Sequence, residues 1–185
     1  MTDPVAFGEQ EIRHLFVELS TALERRDEPA TLFVVGGAAM SLAYDHSRTT
    51  LDVDAAFEPS LAVREAAREL ADAHGLDQDW LNDGAKGFMP GDDPDARVVF
   101  ESDYLRVLVA SPSYLLAMKL HSARIERDLD DAARLFNEVG YTTAEQARDL
   151  LQSTYGAARL MPKHDYVVED VAARAAALTR AARNR

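Results

Sequence analysis

Apolar residues recur along this chain with two different periods, and the changes of period mark its elements. From Gln10 to Arg26 they fall at Ile12, Leu15, Phe16, Leu19, Ala22 and Leu23, the spacing of a helix with one buried face. Arg25-Arg26-Asp27-Glu28-Pro29 ends it, since proline and the residue before it resist helix. The valine-rich run Phe33-Val34-Val35 reads as a strand that breaks at Gly36-Gly37. A short helix follows, and Arg48-Thr49-Thr50-Leu51-Asp52-Val53-Asp54-Ala55-Ala56-Phe57 reads as a second strand. Alternate side chains share a strand face, so Arg48, Thr50, Asp52 and Asp54 are expected on one side, with Leu51, Val53 and Phe57 toward the core.

The next helix is expected from about Leu61 to His74, with Val63, Ala66, Ala67, Leu70 and Ala71 buried and Gly75 as its C-cap. Asp79 to Gly84 is polar and turn-prone, and Trp80 within it reads as a core anchor in preference to a base-stacking platform. Gly84 to Asp95, rich in glycine, proline and acids, reads as a loop. Ala96–Phe100 and Tyr104–Ala110 form a hairpin about Glu101-Ser102-Asp103. Ser111-Pro112 opens a helix, serine as N-cap and proline in the first turn. Beyond it, Leu129, Ala132, Ala133 and Phe136 make a buried stripe closed by Gly140. Thr142-Thr143-Ala144-Glu145 is a capping box for a helix to about Thr154, and a last helix starts at Asp165 or Val167. Strands gathered early and helices late predict an α+β fold, a small mixed sheet flanked by helices with a helical C-terminal part, divided at residues 1–110 and 111–185.

Composition narrows the setting. A chain of 185 residues can bury one sizeable core, alone or with a helical extension. No apolar run approaches the length of a spanning helix, and Met1-Thr2-Asp3-Pro4 lacks the basic and apolar pattern of a signal peptide, so no membrane is expected. The absence of cysteine fits a cytoplasmic protein. With 20 basic against 32 acidic residues the net charge is −12, which disfavours tight non-specific binding of nucleic acid. Locally, Lys119, Arg124, Arg127, Arg134, Arg148, Arg159 and Lys163 gather positive charge in the second half.

Candidate chemistry sits at the glycine pair and the aspartates after it. Two carboxylates on one strand face repel unless a cation lies between them, and magnesium suits such a place because it takes oxygen ligands from one or two carboxylates and substrate phosphates. Gly36 and Gly37 have no side chain to block a phosphate, and a helix opening at Gly37 offers free N–H groups to an anion. Amides for a triphosphate and carboxylates for its metal are what nucleotide transfer requires. The plain alternative is a surface turn before a solvated strand edge. Further on, Lys119 interrupts Leu115-Leu116-Ala117-Met118, so its stem is expected to be buried and its amine directed at a polar group: a triphosphate in a nucleotide site, otherwise an acid. Asp128 follows nine residues later, about half a turn away on an unbroken helix. The two share a site only if the chain bends or restarts near Glu126, with Asp128 as N-cap of the new helix.

The Gly36-Gly37 turn followed by Asp52-x-Asp54 resembles the DNA polymerase beta-like nucleotidyltransferase superfamily. The form Arg48-x-Thr50-x-Asp52-x-Asp54 is similar to nucleotidyltransferases of bacterial abortive-infection and toxin-antitoxin systems. Lys119 after Leu115-Leu116-Ala117-Met118, and Arg127-Asp128-Leu129-Asp130-Asp131, resemble two further motifs of the toxin-type members; Trp80-Leu81-Asn82 resembles a segment of relatives without a role attached. The resemblance implies an enzyme that moves a nucleoside monophosphate from a Mg2+-bound NTP to a hydroxyl of a tRNA or protein acceptor, with a cognate toxin or antitoxin as partner. It implies Asp52 and Asp54 as catalytic metal ligands and Gly36, Gly37, Arg48, Thr50 and Lys119 as nucleotide-binding residues. Lys119 and Asp128 complete the implied catalytic set. Most active members add a third carboxylate from a later strand; Tyr104–Ala110 contains none, and Glu101 is the nearest acid. A catalytically inactive nucleotidyltransferase fold serving as a binding or antitoxin protein is the alternative from another class, and a small-molecule adenylyltransferase shares the motif.

Overall fold

A computed structural model describes residues 6–122 and 126–184, without the side chain of Arg127; Met1 to Pro4 and Arg124 lie outside the described residues. The helical period of the first segment gives α1 (Glu9–Glu24), which buries the six apolar residues of its stripe. It is followed by β1 (Ala30–Val34), α2 (Gly36–Ala43), β2 (Val53–Glu58), α3 (Ser60–His74), β3 (Leu81–Asn82), β4 (Arg97–Glu101) and β5 (Leu105–Val109). Helices α4 (Pro112–Ser122), α5 (Glu126–Val139), α6 (Ala144–Tyr155) and α7 (Pro162–Arg183) complete the chain. The fold is therefore α+β, a five-stranded mixed sheet flanked by helices together with a helical C-terminal part. Two compact units are formed, Met1–Phe88 with Pro94–Ala110 and Met89–Asp93 with Ser111–Arg185.

In the first unit the strand order is β3-β2-β1-β5-β4. β1 runs antiparallel to β2 and parallel to β5, β2 runs parallel to β3, and β4 and β5 form the antiparallel hairpin, bulged between Val98 and Phe100. One face of the sheet carries buried Leu32, Val34, Val53, Ala55, Phe57, Leu105, Val107 and Val109. The apolar stripes of α1 and α3 meet each other, α1 also touching β5 and α3 touching β2. Gly75 closes α3 in a left-handed conformation, φ 66°. Trp80 is fully buried; its indole N–H donates to Ala67 O at 2.9 Å, and its own carbonyl receives Val53 N–H at 2.6 Å, so it anchors α3 to the start of β2.

Alternation governs β2 only from Val53. Leu51, expected toward the core, is 55% exposed. The reason is a separate pairing upstream: Phe7 and Thr50 exchange backbone hydrogen bonds of 2.7 and 3.0 Å, and the chain bends at 51–52 before β2 begins. Strand parity thus does not set the directions of Arg48, Thr50 and Asp52. The stretch read as turn and loop also holds β3 and a 3₁₀ turn, Gly84–Phe88.

In the second unit Ser111 Oγ accepts from Tyr114 N–H at 3.3 Å, capping α4. Asp93 Oδ2 accepts from Ser111 N–H at 2.6 Å and Gly91 O from the Tyr114 hydroxyl at 2.9 Å, which ties Met89–Asp93 to this unit. α5 packs on α4 and α7, and α6 on α4 and α7. Three boundaries differ from expectation. α5 begins at Glu126, so Asp128 lies in its first turn and is not the N-cap; Leu129 is half-buried, while Leu135 and Asp131 are buried. The capping box is Thr143 with Gln146, one residue later than read, because the Gln146 carboxamide accepts from Thr143 N–H at 3.1 Å. α7 starts at Pro162, a residue suited to a first turn where its missing N–H is not needed, and His164 Nδ1 accepts from Met161 N–H at 2.9 Å. Among the described residues no helix is long and apolar enough to cross a membrane.

Candidate functional site

The first cluster forms where β1 ends and α2 begins. Val35 N–H donates to Asp54 O at 2.9 Å, bringing the last residue before the glycines against the acid of β2. Gly36 has φ +65°, and a Cβ there would lie 2.8 Å from Asp54 Oδ2. Gly37 is equally confined, since a Cβ would meet Thr50 Oγ1 at 2.6 Å, with Arg48 Nη2 3.9 Å away. The two glycines are thus places where a side chain is excluded so that a carboxylate, a hydroxyl and a guanidinium can close on the head of α2. This brings Gly36, Gly37, Arg48, Thr50 and Asp54 together. Arg48 is steadied by its own bond to Thr49 O at 3.0 Å, and Thr50 by the bridge to Phe7.

Asp52 enters the cluster through a residue that sequence reasoning left without a role. β3 pairs in parallel with β2 so that Asn82 stands opposite Asp54, and the Asn82 Nδ2 amide reaches Asp52 Oδ2 at 3.4 Å. Nearby, Arg64 donates to Asp83 Oδ2 at 2.6 Å and lies over the Phe57 ring, 5.3 Å from its centroid. The motif could have pointed to Asn82 only by its place after Trp80.

Glu101 does not complete the acidic set. It pairs with Arg106, which stands in register with Thr31, whereas Asp54 bonds to Val35, four residues further along the chain and just past β1. At about 3.3 Å per residue that is roughly 13 Å, beyond the reach of one side chain. Ala110, which donates to Val34 O at 3.1 Å, is apolar at the end nearer Asp54. Among the described residues no three His, Cys, Asp or Glu side chains come together as a metal-ligand set. The all-oxygen pair Asp52 and Asp54 fits a hard cation that completes its shell with phosphate oxygens and water, the mode usual for magnesium.

The second cluster belongs to the helical unit. Lys119, 9% exposed on α4, donates from Nζ to Asp128 Oδ1 at 2.8 Å and to Asp131 Oδ2 at 2.9 Å, both on α5. α4 and α5 pack on each other, and that packing lets residues nine apart meet. Asp131, 3% exposed, was not singled out in the sequence, although its three-residue spacing from Asp128 puts both on one face of a helix. The ammonium therefore has acids as partners, and the pair of carboxylates fixes its direction.

A family model described as a nucleotidyltransferase of unknown function (DUF6036) matches residues 10–141, a span that includes both clusters. No curated protein and no solved structure matches the chain.

Proposed function

The chain belongs to the DUF6036 family of nucleotidyltransferases, and on that premise we propose that it moves a nucleoside monophosphate from a magnesium-bound NTP to a hydroxyl of an RNA, such as tRNA, or of a protein. The observation that carries this reading is the absent Cβ of Gly36, which lets the Asp54 carboxylate stand against the turn that opens α2. A helix N-terminus beside a carboxylate brings amides for phosphate and oxygens for a cation to one place.

In this reading Asp52 and Asp54 hold the magnesium ion, which when bound neutralises phosphate charge and polarises the reacting centre. The Gly36 and Gly37 amides, the Thr50 hydroxyl and the Arg48 guanidinium receive the triphosphate. The acceptor oxygen bonds to the α-phosphorus, the bond from that phosphorus to the β-phosphate bridge breaks, pyrophosphate leaves, and the hydroxyl proton passes to a base or to water. Lys119 and Asp128 enter as phosphate ligand and assisting acid on the resemblance alone. The Arg48-x-Thr50-x-Asp52-x-Asp54 form supports a role in a toxin-antitoxin pair.

The test uses the full chain with magnesium, each α-labelled NTP, and total tRNA or a protein extract. Label should pass to an acceptor, and Asp54→Asn should abolish it; label transfer undiminished in that variant would overturn the reading. A second reading, a nucleotidyltransferase fold that binds without reacting, is favoured by the lack, among the described residues, of a third carboxylate beside Asp54. It predicts no transfer with any acceptor. Thermal protection by Mg-NTP would then separate a nucleotide-binding module from one that binds only a protein partner.

A further inference from the structure

We propose that Asn82 is a positioning residue of the acidic site, holding the Asp52 carboxylate in the direction a metal ion requires; this rests on the reading of Asp52 and Asp54 as metal ligands. Asp52 precedes β2, so no strand ladder sets its direction, and something else must. The Asn82 amide is placed to do so. Its Oδ1 accepts from Gly84 N–H at 2.9 Å, which turns Nδ2 toward oxygens, and Nδ2 faces Asp52 Oδ2 and Asp79 O, each at 3.4 Å. The opposite orientation of the amide would set Oδ1 against two acceptors and Nδ2 against a donor, so a single orientation satisfies all three neighbours.

Two backbone features support the same role. Register places Asn82 directly across from Asp54, so one residue of β3 addresses both acids, one by its backbone position and the other by its side chain. A Cβ on Gly84 would come within 3.0 Å of Asn82 Oδ1, so this glycine leaves room for the bond that orients the amide. Sequence order runs Asp52, Asn82, Gly84, and the chain of contacts runs backward through them: the Gly84 N–H aims Asn82, and Asn82 aims Asp52. Groups that orient metal-holding carboxylates commonly change metal affinity by about tenfold or more when removed.

The experiment titrates Mn2+ into the full-length protein, reading free Mn2+ by electron paramagnetic resonance and Tm with and without the ion. Four chains are compared: wild type, Asp54→Asn, Asn82→Ala and Asn82→Asp. Wild type should bind and Asp54→Asn should not. Asn82→Ala should weaken Mn2+ by about tenfold. Asn82→Asp, which replaces a donor by a second charge of the same sign beside Asp52, should gain more Tm from Mn2+ than wild type gains, because the ion relieves that repulsion. A role confined to the Gly84 turn would lower Tm equally with and without Mn2+ and leave affinity alone. Affinity within twofold of wild type in Asn82→Ala, or a Tm gain in Asn82→Asp equal to that of wild type, overturns the inference while the metal site stands. Failure of wild type to bind, or binding undiminished in Asp54→Asn, removes the site and the inference together.

Discussion

Gly36→Ala should damage the site far more than it damages the fold, and Gly75→Ala supplies the control. Both glycines sit in the left-handed region, with φ of +65° and +66°. An alanine there costs about 1 kcal/mol in either place. At Gly75 nothing lies within 4 Å of the added methyl, so strain is the whole effect. At Gly36 the methyl meets Asp54 Oδ2 at 2.8 Å, while Asp54 Cβ and Cγ stand at 3.5 and 3.6 Å. Only the end of the side chain is in the way. The carboxylate must retreat from 2.8 Å to the 3.4 Å at which ordinary contact begins, about 0.6 Å, and a rotation off its preferred angle adds about 1 kcal/mol. Expected losses are therefore about 1 kcal/mol for Gly75→Ala and about 2 kcal/mol for Gly36→Ala, or about 2–4 °C of Tm per kcal/mol in a chain of this size. Displacing a reacting group by a sizeable part of an ångström costs roughly ten- to a hundredfold in rate. Label transfer from α-labelled NTP, with Mn2+ affinity beside it, should fall by that much in Gly36→Ala and stay unchanged in Gly75→Ala. If the two variants transfer label equally, the close approach of Asp54 to the turn plays no part in the chemistry.

Lys119→Met leaves the Asp128 and Asp131 carboxylates facing each other without their shared cation. Losing one partner of a buried ion pair costs about 3–5 kcal/mol, and urea unfolding should show it; a loss below about 1 kcal/mol would mean the acids are relieved in another way. His121 stacks on Tyr155 with centroids 4.2 Å apart, and burial, followed by the nearby His164, Lys163 and Arg159, lowers its pKa from 6.5. The unfolded chain then takes up this proton at a higher pH than the folded one. The contribution to stability is present above about pH 6.5 and is lost as pH falls through the lowered folded value. An NMR titration should place the His121 midpoint below 6.5, and a midpoint at or above it would refute the burial argument.

Much of the fold could be read in order along the chain. The α1 stripe from Ile12 to Leu23, the Gly75 cap, the Ser111-Pro112 start and the hairpin around Ser102 are local patterns, and each element depends chiefly on residues within a turn or two of one another. That Lys119 and Asp128 can meet only from two helices packed on each other followed from geometry, because residues nine apart do not meet on one straight helix. Reading failed where a distant segment imposed its own pairing. Leu51 turned outward because Thr50 pairs with Phe7, and β3 escaped notice because two residues are too few to show a period.

The candidate site divides along the same line. Sequence by itself determined that a glycine pair, Arg48, Thr50, Asp52 and Asp54 belong to one neighbourhood, since a short helix and a turn are all that separates them. It also determined that Lys119 would be buried with its amine on a polar partner, since an apolar run leaves a charge little choice. Tertiary structure alone decided which partner that is, Asp128 together with Asp131. It alone brought Asn82 to Asp52 across thirty residues of chain. Burial is written in composition and period, whereas the identity of a contact depends on the register of strands and the phase of helices that meet only after the chain has folded.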